Sequence, residues 1–209
     1  MNLVQAIDTI VNWLNENVCP GIELKLPDDY KNDASYEVVM VNPAAFPLYV
    51  PGKEALPPSV VAPIPSVCVQ LMEGSDDLQR SRRTLQIRLC LACWNPGSHG
   101  DALYRTEADP DAVGGVRYYR TTAGTEQEYT RNMNGWRDSF NFADSVLRAI
   151  ENAEFIDGLR LATDKPVKYG MFVEDGNVWD YYPYWHNWIS FEIDTGVAPR
   201  SPEAYNELL

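Results

Sequence analysis

Four cysteines, Cys19, Cys68, Cys90 and Cys93, and two histidines, His99 and His186, are the residues whose types could carry redox, metal or nucleophilic chemistry. Cys90 and Cys93 spell C-L-A-C, a spacing that invites a metal or redox reading. The surrounding pattern opposes it. Leu85, Ile87, Leu89 and Leu91 alternate with Gln86, Arg88 and Cys90, which is the period of a strand. Positions three apart on a strand face opposite sides, so these two thiols can share an ion only if the strand ends between them. No second paired-cysteine motif and no histidine cluster completes a zinc site. No metal and no cofactor is expected.

The histidines give no sharper signal. His99 lies in a Gly-rich stretch, and His186 follows an aromatic run. No nucleophile elbow, HExxH or kinase-type motif is present, so each histidine reads as a surface or structural residue. Asp109 and Asp111 flank Pro110, and Glu126 and Glu128 lie two apart, but the spacing of a calcium loop with its terminal Glu is missing. Gly114-Gly115 does not belong to a phosphate loop, because the GxxxxGK[ST] pattern is absent. No catalytic residue is expected.

Trp179, Tyr181, Tyr182, Tyr184, Trp185 and Trp188 form a dense aromatic run. Such rings can stack on a sugar or a base. A strand buries alternate rings in its own core, and rings left outside suit a subunit interface. The apolar and aromatic residues nominated for an interface are Phe46, Leu48, Tyr49, Tyr118, Tyr119, Trp179 and Tyr181.

The 209 residues carry 17 basic and 30 acidic side chains, a net charge of −13. A nucleic-acid partner needs clustered Lys and Arg. The one tight cluster, Arg80, Arg82 and Arg83, follows Asp76-Asp77, so its local charge nearly cancels and it reads as a solvated loop before a strand. The start, from Met1 to Asp8, lacks the basic region of a signal peptide. No apolar run approaches the ~20 residues of a membrane span. A cytosolic protein with no membrane partner is expected.

The elements that must position these residues follow from periodicity. Leu3, Val4, Ile7, Ile10, Val11, Leu14 and Val18 form one stripe of an N-terminal helix that Pro20-Gly21 ends. Short strands are predicted at 22–26 and 36–41. The segment 43–66 holds seven prolines and cannot serve a central strand, so an extended arm is expected. Strands at 67–72 and 84–94 pair antiparallel. The segment 95–134 is a long polar loop insertion in which only Val116-Arg117-Tyr118-Tyr119 could pair locally. A second helix over 136–151 carries Trp136, Phe140, Ala143, Val146, Leu147 and Ile150 on its apolar face, with Asn134 as N-cap. Strands at 159–161, 167–173 and 189–193 follow, with a turn at Glu174-Asp175-Gly176-Asn177. The order predicts one α+β domain over 1–195, two helices on a mostly antiparallel or mixed sheet, and a polar tail over 196–209.

Three stretches resemble the tail-terminator and tail-completion proteins of long-tailed bacteriophages and prophages of Gram-positive bacteria. The first begins Pro63-Ile64-Pro65-Ser66-Val67-Cys68 and ends in the acidic turn Glu73-Gly74-Ser75-Asp76-Asp77. The second is Gly135-Trp136-Arg137-Asp138, opening a helix. The third is Tyr182-Pro183-Tyr184-Trp185 leading into Trp188-Ile189-Ser190-Phe191. The insert at 95–134 is longer than the family pattern. The resemblance implies a structural virion subunit, without catalysis, that assembles with itself into a ring, commonly a hexamer, on the end of the tail tube. It implies tail-tube and head-connector proteins as partners, DNA only as passing cargo, and a place in the host cytoplasm and then the virion neck. A head–tail connector or tube subunit is the nearest alternative. A glycan-binding module and a hydrolase are further ones.

Overall fold

The structure is a computed structural model that describes residues 1–28, 38–99, 103–112, 114–121, 129–131, 135–153 and 155–196. The polar tail beyond 196, the Asn134 cap, Glu126 and Glu128, and the start of the strand predicted at 36–41 lie outside the described residues.

Helix α1 spans Leu3–Trp13. Asn2 caps it by accepting from the Gln5 N–H at 2.8 Å, while Gln5 Oε1 accepts from the Asn2 N–H at 3.0 Å. This reciprocal box satisfies two donors that a helix start leaves free. The chain loosens into a π turn over Leu14–Val18 and a 3-10 turn over Cys19–Gly21. Ala6, Ile10, Val11, Leu14 and Val18 are buried. Leu3 and Val4 are exposed, so the predicted stripe begins one turn too early.

The short strands β1 (Leu24–Lys25) and β2 (Met40–Val41) pair with each other. Strand β3 (Ala44–Pro47) then lies parallel to β4 (Ser66–Asp77). The proline-rich segment therefore opens as a strand, and its place explains how. It is the sheet's edge, where a missing N–H costs no ladder bond. Strand β5 (Arg82–Trp94) pairs antiparallel with β4.

Among its described residues the 95–134 insertion, expected as a loop, holds two nested ribbons, and the local pairing expected at 116–119 falls in one of them. Strand β6 (Gly97–His99) pairs with β9 (Tyr129–Arg131), and β7 (Leu103–Ala108) pairs with β8 (Val116–Thr121). Gly114 and Gly115 have φ of +84° and +71°, a left-handed turn that glycine adopts without penalty.

Helix α2 spans Trp136–Asn152. Its buried face carries Phe142, which is 1% exposed, whereas Phe140 is 38% exposed. The predicted stripe is thus rotated: Phe140 leaves the core and pairs edge-on with Trp136 at 5.6 Å. After α2 come β10 (Phe155–Ile156), β11 (Leu159–Leu161), β12 (Lys168–Met171), β13 (Val173–Glu174), β14 (Asn177–Val178) and β15 (Tyr184–Gly196). Asp157-Gly158 and Asp175-Gly176 all have positive φ and turn the two short hairpins.

The main sheet is seven-stranded and mixed, in the order β10-β11-β15-β5-β4-β3. Strand β12 also pairs with β15, on the margin it shares with β11. Both helices pack on one face, against Val67, Val69, Leu85, Ile87, Leu89, Leu91, Ile189, Phe191 and Ile193. The fold is α+β. No described helix is long and apolar enough to cross a membrane.

Candidate functional site

Two of the motif-like stretches, far apart in the chain, meet at Asn95. The Asn95 Nδ2 donates to Asp138 Oδ2 at 2.6 Å, and Lys25 Nζ joins the same carboxylate at 3.2 Å. The Asn95 carbonyl accepts from Trp185 Nε1 at 2.9 Å, and the Asn95 N–H donates to the Pro183 carbonyl at 3.0 Å. Tyr182 donates its hydroxyl to the Pro96 carbonyl at 2.6 Å. Gly135 sits against this knot: a Cβ there would run into the Asn95 carbonyl and the Trp185 indole nitrogen. Gly135, Asp138, Tyr182 and Trp185 thus hold the start of the ribbon insertion against α2 and β15. Their work is positioning, through hydrogen bonds that are buried or part-buried and so costly to leave unmade.

The nominated interface residues separate into four situations. Phe46 is buried, at 4% exposure, and lines a cavity with Pro57 and Val60, so it is not available to a partner. Its place on β3, one strand from β4, gives it the subunit's own packing. Leu48 and Tyr49 lie just beyond β3 and are exposed, Tyr49 at 70%. Tyr118 and Tyr119 fall in β8, opposite Thr106 and Arg105. Trp179 and Tyr181 are exposed, Tyr181 at 54%.

Among the nominated residues whose side chains are described, Trp179 and Tyr181 are brought together. Their rings meet edge to face at 5.6 Å; Trp179 also stacks on Phe172 at 5.2 Å, and Tyr181 meets His186 at 5.9 Å. Such contacts fix ring orientation at low entropic cost. Val173 and Val178, paired with each other in the adjoining hairpin, are exposed as well. Trp185 points the other way, into the core. Phe172 was not singled out from sequence; its only signal was its position before the Asp-Gly turn.

The basic cluster is tied to carboxylates. Arg83 grips Asp76 at 2.7 Å, Arg80 reaches Asp77 at 3.5 Å, and Arg82 Nε donates to Asp194 Oδ1 at 3.0 Å. Arg82 and Arg83 belong to β5 rather than to a loop. Partial burial pulls the Asp194 carboxyl up. Hydrogen bonds from Arg82 and Thr84 and the charges of Arg82 and Arg160 outweigh that and hold it below the usual range. Arginines paired in this way offer little to a phosphate.

Strand β5 runs unbroken through both C-L-A-C cysteines. Cys93 lies in the helix-facing core, while Cys90 lines a cavity of about 320 Å³ on the other face, with Cys68, Ser66 and His186. This cavity brings thiols and an imidazole together, which the sequence did not suggest. Burial pushes the Cys68 thiol up to about 12 and raises that of Cys90 too. An attacking thiol needs the opposite shift. Burial also holds the His186 imidazole below its ordinary value. His99 stands apart, in β6 opposite Tyr129. Among the described residues, no group of three His, Cys, Asp or Glu side chains could hold a metal ion.

Comparison of the chain with protein-family models, with curated proteins and with solved structures finds no match in any of the three.

Proposed function

We propose that this chain is a non-enzymatic structural subunit of a phage or prophage tail: a tail-terminator or tail-completion protein that closes into a ring, a hexamer, at the end of the tail tube. Its partners are further copies of itself, the tail-tube protein and the head connector, and DNA passes through as cargo. The observation that carries this reading is the placement of exposed apolar side chains on two opposite margins of one sheet. Leu48 and Tyr49 lie beyond β3 at one edge; Val173 and Val178 lie in the hairpin that follows β12 at the other margin, with Trp179 next to them and Tyr181 reaching back to His186 of β15. Two unlike surfaces on one subunit suit head-to-tail contacts, and such contacts form rings when the rotation closes. Aromatic anchors are what interfaces concentrate. The net charge of −13 supports it as well, since an acidic wall does not grip passing DNA. The resemblance of the three sequence stretches supplies the tail context.

The test is negative-stain imaging and light scattering of the chain alone and with tail tubes. Capped tubes and ring-sized particles are expected. A chain that stays monomeric at every concentration and never caps a tube would sink the reading. The exposure of Trp179 and Tyr181 also favours a second reading, a glycan platform. A glycan array that gives binding, lost in Trp179→Ala, would turn the assignment that way.

A further inference from the structure

We propose that Cys68 and Cys90 form a cross-strand dithiol, an oxidation site that closes to a disulfide when a small oxidant enters the cavity above it. The two are direct partners in the β4–β5 register. Residues opposed in an antiparallel pair have Cα atoms about 4.5–5.5 Å apart. A disulfide spans Cα separations of about 4.4–6.8 Å, so closure needs no movement of the strands. Cross-strand partners project from the same face, and here it is the face turned away from the helices.

The side chains converge. Cys90 Sγ donates to Gln70 Oε1 at 3.3 Å, and the Gln70 side chain also hydrogen-bonds the Cys68 thiol. Both are free thiols. The cavity of about 320 Å³ over them is walled by Pro51, Ile64 and Ala92 and has room for a peroxide-sized molecule. The remaining cysteines do not share it. Cys93 is buried on the helix side, and Cys19 is buried in the turn after α1.

In the closure each thiol gives up its proton, and one S–S bond forms. The two electrons and two protons pass to the oxidant. Hydrogen peroxide leaves as two waters, and a low-molecular-weight disulfide leaves as two thiols. Burial, which raises both thiols, makes the reaction slow at neutral pH and faster as pH rises. A reducing cytoplasm keeps the pair open, and an oxidising exterior keeps the bond once it has formed. The site does not depend on the tail reading.

The test oxidises the full purified chain with hydrogen peroxide or oxidised glutathione, blocks remaining thiols, and maps tryptic peptides without reduction. The expected result is the loss of two hydrogens and a link between peptides 54–80 and 89–105. The link persists in Cys93→Ser and disappears in Cys90→Ser. Its rate of formation rises about tenfold per pH unit while both thiols remain mostly protonated. Cys68→Ser is the second variant and must also abolish the link. Unlinked Cys68 and Cys90, under conditions that oxidise the urea-unfolded chain, overturn the proposal. A link from either one to Cys19 or Cys93 also overturns it.

Discussion

The two faces of β5 have opposite fates. Leu85, Ile87, Leu89, Leu91 and Cys93 are sealed beneath the helices. Gln86, Arg88, Cys90 and Ala92 alternate with them and stay only half-buried. One face is closed by α1 and α2. On the other, the proline-rich segment, with Val50, Pro51, Pro63 and Ile64, walls one end of the strand, and Trp188 stands beneath Arg88 beyond it. The sealed face decides whether the chain folds. The half-open face, with its cavity and its neighbouring aromatic margin, has surface to spare for partners or for chemistry.

Four perturbations separate the two faces. The largest effect belongs to the sealed face. Phe142→Ala removes a fully buried ring and is expected to cost about 3–5 kcal/mol in denaturant unfolding. Arg88→Ala, on the open face, should cost a small fraction of that, and equal losses from the two would erase the contrast. Next comes Gly135→Ala, whose methyl meets the Asn95 carbonyl and Trp185 in the knot between the two regions. Overpacking of this kind costs about 1–3 kcal/mol, and hydrogen exchange should rise first at residues 95–97 and at the start of α2.

Trp179→Ala comes third. The ring is partly exposed, so unfolding should shift by no more than about 1 kcal/mol, while ring formation or tube capping measured by light scattering and imaging should be lost. The smallest effect is that of His186. Its folded pKa is depressed by burial, so the unfolded chain binds the proton more readily. Stability is therefore full above the ordinary histidine range and falls as pH drops through it toward the depressed folded value. Replacing His186 with Gln should flatten that limb of a stability-versus-pH curve, and an unchanged curve would mean that the imidazole is not shielded.

Much of the fold was legible because local periodicity and burial agree. The alternation in β5, the apolar run after Asn2 and the Asp-Gly turn at 175–176 each state a local preference that the packing then obeys. Failures came where a ring could face either way. Phe140 and Phe142 are both apolar and two apart on one helix, and only the sheet's position decides which is covered. The 95–134 insertion failed for a different reason. Its sequence is polar and glycine-spaced, without the apolar alternation that marks a strand packed on a core.

By itself the sequence determined the α+β class, the antiparallel pairing of strands at 67–72 and 84–94, and the separation of Cys90 from Cys93 to opposite faces. The tertiary structure alone decided which thiol Cys90 would meet. Counted from the turn, Asp77 faces Arg82 and Glu73 faces Gln86, a register that would set Cys68 against Leu91. The register slips between Leu71 and Glu73, with Met72 as the extra residue, and this places Cys68 against Cys90. A bulge adds one residue to one strand, and with a side-chain period of two that single residue exchanges faces. No local preference in the chain announces it, because the shift shows only in how β4 pairs with β5.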